Sequence, residues 1–168
     1  MPVKNSKELL HDLMCYAYDM EKQITEALPK MKAAATNEAL KSGFAQHLAE
    51  TEMQIERLEQ AYDMMKLAIR DVHCSITQTM IDVGEQMFQE CEKGAVRDAA
   101  LIIAAQMVEH HEMTMYGSMI ALCQALEKDE VAALFEESLQ EEKDTDEKLS
   151  ILADEKINDQ ALHSKAAA

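Results

Sequence analysis

From Leu101 to Leu122 the apolar residues recur at steps of three and four: Leu101, Ala105, Val108, Met115, Met119 and Leu122. That spacing lines them along one face of a long helix. In the middle of the same face stands Glu112. A helix with such a face has to bury it against other helices, and a carboxylate buried with it is expensive unless something positive sits opposite. The chain must therefore build a helical interior that accommodates an acid.

The remainder of the sequence repeats the pattern. Only four Gly and two Pro interrupt 168 residues, and the dominant residues, Ala, Leu, Met, Glu, Lys and Gln, are good helix formers. An all-α protein follows, read as one domain over residues 1–168 with its core at about 5–157 and a frayed tail over 158–168. A first helix runs from its cap at Asn5, with Glu8 reaching back, to about Ala35; Pro29 is expected to kink or break it. Asn37 caps a second helix carrying Leu40, Phe44, Leu48, Leu58 and Tyr62. Residues 68–74 read as a crossover, followed by a shorter helix over 75–92 with Gly94 as its stop. A third long helix spans about 95–126, and a fourth starts at Asp129, its expected cap, and carries Phe135, Leu139 and Leu149. An offset of 91 residues superimposes Phe44, Leu48, Glu50 and Leu58 on Phe135, Leu139, Glu141 and Leu149, and Glu21 on Glu112. Two similar helix pairs joined by a longer connection describe an antiparallel four-helix bundle with an additional short crossover helix.

Charge excludes several classes of partner. A net charge of −16 leaves no basic stripe for nucleic acid and disfavours an anionic membrane surface. No apolar run is long enough to span a bilayer, and the N-terminal residues lack an apolar signal core. Cys15, Cys74, Cys91 and Cys123 are dispersed, with no CxxC pair, as reduced structural thiols would be. These features predict a cytoplasmic protein. There is no glycine-rich phosphate loop, zinc-type Cys/His spacing or GxSxG turn.

Acidic groups on the helical faces point to a metal instead. Donors three or four apart on a helix project together, and three helices carry such pairs: His47 with Glu50, Glu109 with Glu112, and Glu142 with Asp146. The first helix adds Glu21. Six carboxylates and one imidazole suffice for a two-metal centre with bridging carboxylates, of a donor type suited to iron or manganese. On a helical wheel Glu112 and Glu142 lie nearest the centres of their apolar faces, while Asp146, His47 and Glu21 lie close by. Glu50 and Glu109 sit nearer the edges. Glu141 is an alternative to Glu142, favoured by the repeat. His110 projects away from the stripe, His111 borders it, and Tyr116 and Tyr18 lie one turn from Glu112 and Glu21.

Several stretches resemble the YciE/YciF family of bacterial stress-response proteins, within the ferritin-like superfamily, and most of all its YciF branch. They are Asp19-Met-Glu21-Lys-Gln, His47-Leu-Ala-Glu50-Thr, Val96-Arg-Asp-Ala-Ala-Leu, Val108-Glu109-His110-His-Glu112, Tyr116-Gly, and Glu141-Glu-Lys-Asp-Thr-Asp146-Glu-Lys-Leu149. The likeness spans residues 5 to 157. It implies a ferritin-like bundle, a homodimer and a dinuclear iron site. Ferritin-like proteins generally draw one Glu from each of two helices and a Glu-x-x-His pair from each of the others. This chain departs from that: Met53 follows Glu50, Asp144 and Thr145 follow Glu141 and Glu142, and His47 precedes its Glu.

Two functional expectations follow. One is a stress-response oxidoreductase of ferroxidase or peroxidase type, with iron, manganese or another divalent metal held by Glu21, His47, Glu50, Glu109, Glu112, Glu142 and Asp146. The other is a non-catalytic structural or interaction protein with a vestigial or partly filled site.

Overall fold

The computed structural model describes residues 2–164. Its helices are α1 (Ser6–Ala34), α2 (Glu38–Met65), α3 (Ser75–Gln89), α4 (Ala95–Ala125) and α5 (Asp129–Leu152), then a π-helical turn (Ala153–Ile157) and α6 (Asn158–Leu162). No strand occurs among the described residues. Two of the starts follow from their caps. Asn5 Oδ1 accepts from the Glu8 N–H at 2.9 Å, and Asn37 Oδ1 from those of Ala39 and Leu40 at 2.9 and 3.2 Å. Each bond satisfies a donor that the first helical turn leaves free.

α1 packs on α2 and α4 on α5, and these two hairpins meet through α2 on α5 and α1 on α4. The start of α4 lies beside the end of α1, where Asp98 holds Thr36. On the other side of the bundle, Gln54 and Arg57 of α2 meet Glu142 and Ser138 of α5 in antiparallel order. Leu10, Met20, Leu40, Leu58, Leu101, Met119 and Phe135 fill the core and are fully buried. α3, the crossover helix, lies against α4 and α1. It comes in close at Gly84, where an added Cβ would stand 2.8 Å from the Cβ of Ala104.

Four boundaries differ from the expectations. α1 continues through Pro29 without a break. The ring removes one backbone donor near an exposed end, and the helix closes normally beyond it, Ala35 N–H donating to the Met31 carbonyl at 3.0 Å. Gly94 does not stop α3, which ends at Gln89; with φ of 133° it turns the chain into α4, a conformation that L side chains resist. At the start of α5, Lys128 and not Asp129 occupies the cap position, and no side chain bonds the free donors there. The tail expected to fray from 158 is helical to Leu162, and Lys165–Ala168 lie outside the described residues.

Asp98, which the helical patterns do not single out, is 2% exposed. Its carboxylate accepts from Thr36 N–H at 2.7 Å, Asn37 N–H at 3.0 Å and the Thr36 hydroxyl, fastening α4 to the α1–α2 connection. Removing it strands two backbone donors at a partly buried turn. Asp98→Ala is expected to cost about 2 kcal/mol, seen as a lower urea midpoint at unchanged slope, and Asp98→Asn less, because one acceptor oxygen remains.

Candidate metal centre

Five of the side chains expected at a metal site meet in the middle of the bundle. Glu21 comes from α1, His47 from α2, Glu109 and Glu112 from successive turns of α4, and Glu142 from α5. Their exposures are 0, 3, 2, 0 and 0%, in that order. Charged side chains are almost never buried so completely unless paired or bound. His47, Glu109, Glu112 and Glu142 each offer a ligand atom, and those atoms all lie within 4.8 Å of one another. His47 Nε2 stands 3.3 Å from a Glu109 oxygen and 4.0 Å from one of Glu112.

Few hydrogen-bond donors reach this cluster. Tyr116 donates its hydroxyl proton to Glu21 Oε1 at 2.6 Å, and the Gln54 side-chain amide donates to Glu142 Oε1. Glu21 Oε2, Glu109 Oε2, Glu142 Oε2, both oxygens of Glu112 and both ring nitrogens of His47 are buried without a hydrogen-bond partner. Native interiors leave few such groups, and an ion is one of the standard reasons when they do.

Electrostatics in the metal-free cluster agree. Burial raises the Glu21 carboxyl to about 8, helped by the charge of Glu142 and opposed by the Tyr116 bond. Glu142 rises to about 7, again chiefly by burial, with the neighbouring Glu109 carboxyl and the Gln54 amide holding it down. Glu109 and Glu112 are pushed well above the ordinary carboxylate range, first by burial and then by Glu142. Burial lowers His47 to about 4, leaving a neutral imidazole suited to metal ligation.

Two expected ligands lie elsewhere. Glu50 sits at the edge of the cluster, 20% exposed, with Oε2 4.0 Å from His47 Nδ1 and Oε1 accepting from Gln46 at 2.7 Å. Asp146 does not join: it faces α4, accepting from the Gln106 amide at 3.1 Å, 3.4 Å from the exposed His110. Between the adjacent candidates on α5, Glu142 points inward and Glu141 does not. Arg57 holds Glu141 through two bonds of 2.7 Å, one from each terminal guanidinium nitrogen. His111 is half-buried, and its Nε2 lies 3.9 Å from Cys74 Sγ.

Gln54 and Arg57 were not expected at the site. Gln54, fully buried, donates to both Glu141, at 3.0 Å, and Glu142. A signal for it was present, since it falls three residues after Thr51 and four before Leu58, on the α2 stripe.

Comparison with known proteins finds relatives of this chain. A family model described as Domain of unknown function (DUF892) matches residues 5–162. Protein YciF of Escherichia coli (strain K12) is 40% identical over 162 residues, covering 96% of this chain and 98% of that protein. The crystal structure of that E. coli stress protein is similar to this chain with a TM-score of 0.89 and 39% identity, over 93% of this chain and 99% of the other. YcfI, a putative structural protein from Rhodopseudomonas palustris, is similar with a TM-score of 0.85 and 36% identity, over 88% and 94% of the two chains.

Proposed function

The chain belongs to the DUF892 family, and on that basis we propose that it is a metal-binding bundle of the bacterial stress response, holding iron or manganese through His47, Glu109, Glu112 and Glu142. The observation that carries this is the convergence of four buried donors within 4.8 Å. Ligands about 2 Å from a common ion stand at most about 4 Å apart across it, so small side-chain shifts close the site on one cation. A second cation calls on Glu21 and, from the edge, Glu50. Four carboxylates, those of Glu21, Glu109, Glu112 and Glu142, cancel the charge of two divalent ions, and the oxygen-rich donor set with a single imidazole suits iron or manganese.

Bound iron would supply ferrous–ferric redox chemistry toward oxygen or peroxide. The protein's own part is to hold the ligands in place. Tyr116 orients Glu21, Gln54 orients Glu142, and burial keeps His47 neutral so that one ring nitrogen keeps a free lone pair. Resemblance to the stress-protein family supports a cytoplasmic homodimer. The exposed Val96, Ile103 and Met107, on one face of α4, support pairing of two copies. No helix of the described residues is long and apolar enough to cross a membrane.

Anaerobic loading with ferrous iron, followed by metal analysis and an anomalous-scattering map, tests the reading. Stoichiometric uptake at the cluster, lost in Glu112→Ala and Glu142→Ala, is the expected result; no uptake by the wild type sinks it. A second reading, a structural protein with a binding-only or vestigial site, is favoured by Arg57, whose two hydrogen bonds to Glu141 tie up the repeat counterpart of Glu50. Uptake with no oxidation by peroxide or dioxygen would support that reading.

A further inference from the structure

Two hollows reach the same pair of side chains, His47 and Glu109. One, of about 320 Å³, opens between α2 and α5, where Gln46, Glu50, Thr145 and Lys148 stand among Leu40, Phe44, Leu149 and Leu152. The other, of about 40 Å³, lies beneath α3 between α1 and α4. Its outer end is marked by Lys30 and Glu85 and its inner end by His47 and Glu109; between them the wall is apolar, with Ile24, Met31, Ile81, Phe88, Ala105 and Val108.

Size and lining together define what the second hollow can hold. A void needs roughly 10–15 Å³ to admit one water, and an apolar void stays dry and takes up apolar guests. A cavity of about 40 Å³ therefore suits a molecule of two or three heavy atoms. Hydrogen peroxide and water would find no hydrogen-bond partners along its length, only at its ends. His47 and Glu109 close the inner end, and both carry buried polar atoms without a hydrogen-bond partner, so a guest there lies against the candidate ligands. The contact of Gly84 with Ala104 keeps α3 down over the opening, since any larger side chain at 84 would lift it.

We infer that the cavity under α3 is a binding site for a small apolar molecule, of which dioxygen is the kind a reduced metal would consume, and that it feeds the His47–Glu109 edge. Cations, water and peroxide enter or leave through the wider α2–α5 cleft, past Gln46, Glu50, Thr145 and Lys148. The inference rests on the proposed metal reading for the fate of dioxygen, though not for its binding. In the overall reaction two ferrous ions each lose one electron. Dioxygen takes both electrons, with two protons from solvent, and becomes hydrogen peroxide.

Xenon tests the cavity without any metal. Crystals of metal-free wild type pressurised with xenon should show an anomalous peak beneath α3, and Ala105→Leu and Ile81→Phe, which fill the space from opposite walls, should lose it. In ferrous-loaded protein the same variants should take up iron as before and react normally with peroxide, while oxidation by dioxygen slows several-fold. Ordered water in the cavity in place of xenon would overturn the inference. So would an unchanged dioxygen rate in a variant that has lost its xenon peak, or an equal slowing with peroxide. Xenon bound in a protein that takes up no metal would keep the apolar site and overturn the metal reading instead.

Discussion

Replacing Glu112 with glutamine raises the melting temperature of the metal-free protein and abolishes the further rise that ferrous or manganous ions give the wild type. Both halves follow from one geometry. Neither Glu112 oxygen meets a hydrogen-bond donor, and Glu21, Glu109 and Glu142 surround it with more acids. Glutamine is neutral without having to take up a proton and supplies two N–H donors to those neighbours, so the metal-free fold gains. With metal present the sign reverses, because the wild type binds and the variant lacks a charged ligand; at a metal concentration about 100 times Kd, binding stabilises the wild type by about 2.7 kcal/mol. Thermal melts of both proteins, with and without metal, read all four values. A variant less stable than wild type without metal would mean that Glu112 has a structural partner and is not a metal ligand.

The same cluster sets an unusual pH dependence for the metal-free protein. Glu21 lies at about 8 when folded against an ordinary 4.5, so across that interval the folded state binds more protons than the unfolded state. Stability linked to Glu21 is therefore fully present below about 4.5 and is lost as pH rises through about 8. Glu142, at about 7, loses its share over a lower range. His47 acts in the opposite direction, since its folded value of about 4 lies below 6.5: its contribution grows as pH rises and is complete above the latter value. Between about 6.5 and 8 the acids of this cluster titrate and His47 does not, so the cluster's contribution to the melting temperature should fall with rising pH. Bound metal should flatten that slope, because a ligating carboxylate has already given up its proton.

How much of the site could be read beforehand depended on whether a residue's role is fixed by its own helix. Glu112 and Glu142 lie at the centres of apolar stripes, and a stripe centre is buried whatever helix covers it. Glu21 was recoverable from the repeat as well, since its offset partner Glu112 comes from the equivalent helix of the other pair. Asp146 was not, although on the helical wheel it lies close to the centre of the α5 stripe. Whether such a residue faces the centre or the neighbouring helix depends on how α5 is rotated against α4, and Gln106, 40 residues away, takes it. Asp98 is the same case, its partners 61 and 62 residues distant. The α3 cavity depends on the approach of α3 to α4 at Gly84 and Ala104, a distance that no single helix encodes. The fold was more legible than the site because four amphipathic helices with short turns have few ways to bury their stripes. The corrected boundaries at Gly94 and Asp129 fall where turn geometry, not periodicity, decides.

Arg57→Met should destabilise the metal-free protein by about 3 kcal/mol, the low end for removing one partner of a buried ion pair. Arg57 is 8% exposed and donates twice to Glu141, while its Nε lies 3.3 Å from Glu137. Without it, Glu141 is left partly buried beside a cluster already rich in carboxylates, with only the Gln54 amide as a donor, at 3.0 Å. Adding Glu141→Gln should recover much of the loss, because the uncompensated charge goes with it; a double-mutant cycle by urea unfolding measures that coupling. The dependence on metal distinguishes a mere clamp from a device that selects the ligand. Glu141 and Glu142 are adjacent, and the guanidinium, with the Gln54 amide, holds the first of them out. Freed from it, Glu141 can turn toward a bound cation, so Arg57→Met should lose less stability in the metal-loaded protein than in the metal-free one. Equal losses in both states would mean that Arg57 only braces α2 against α5.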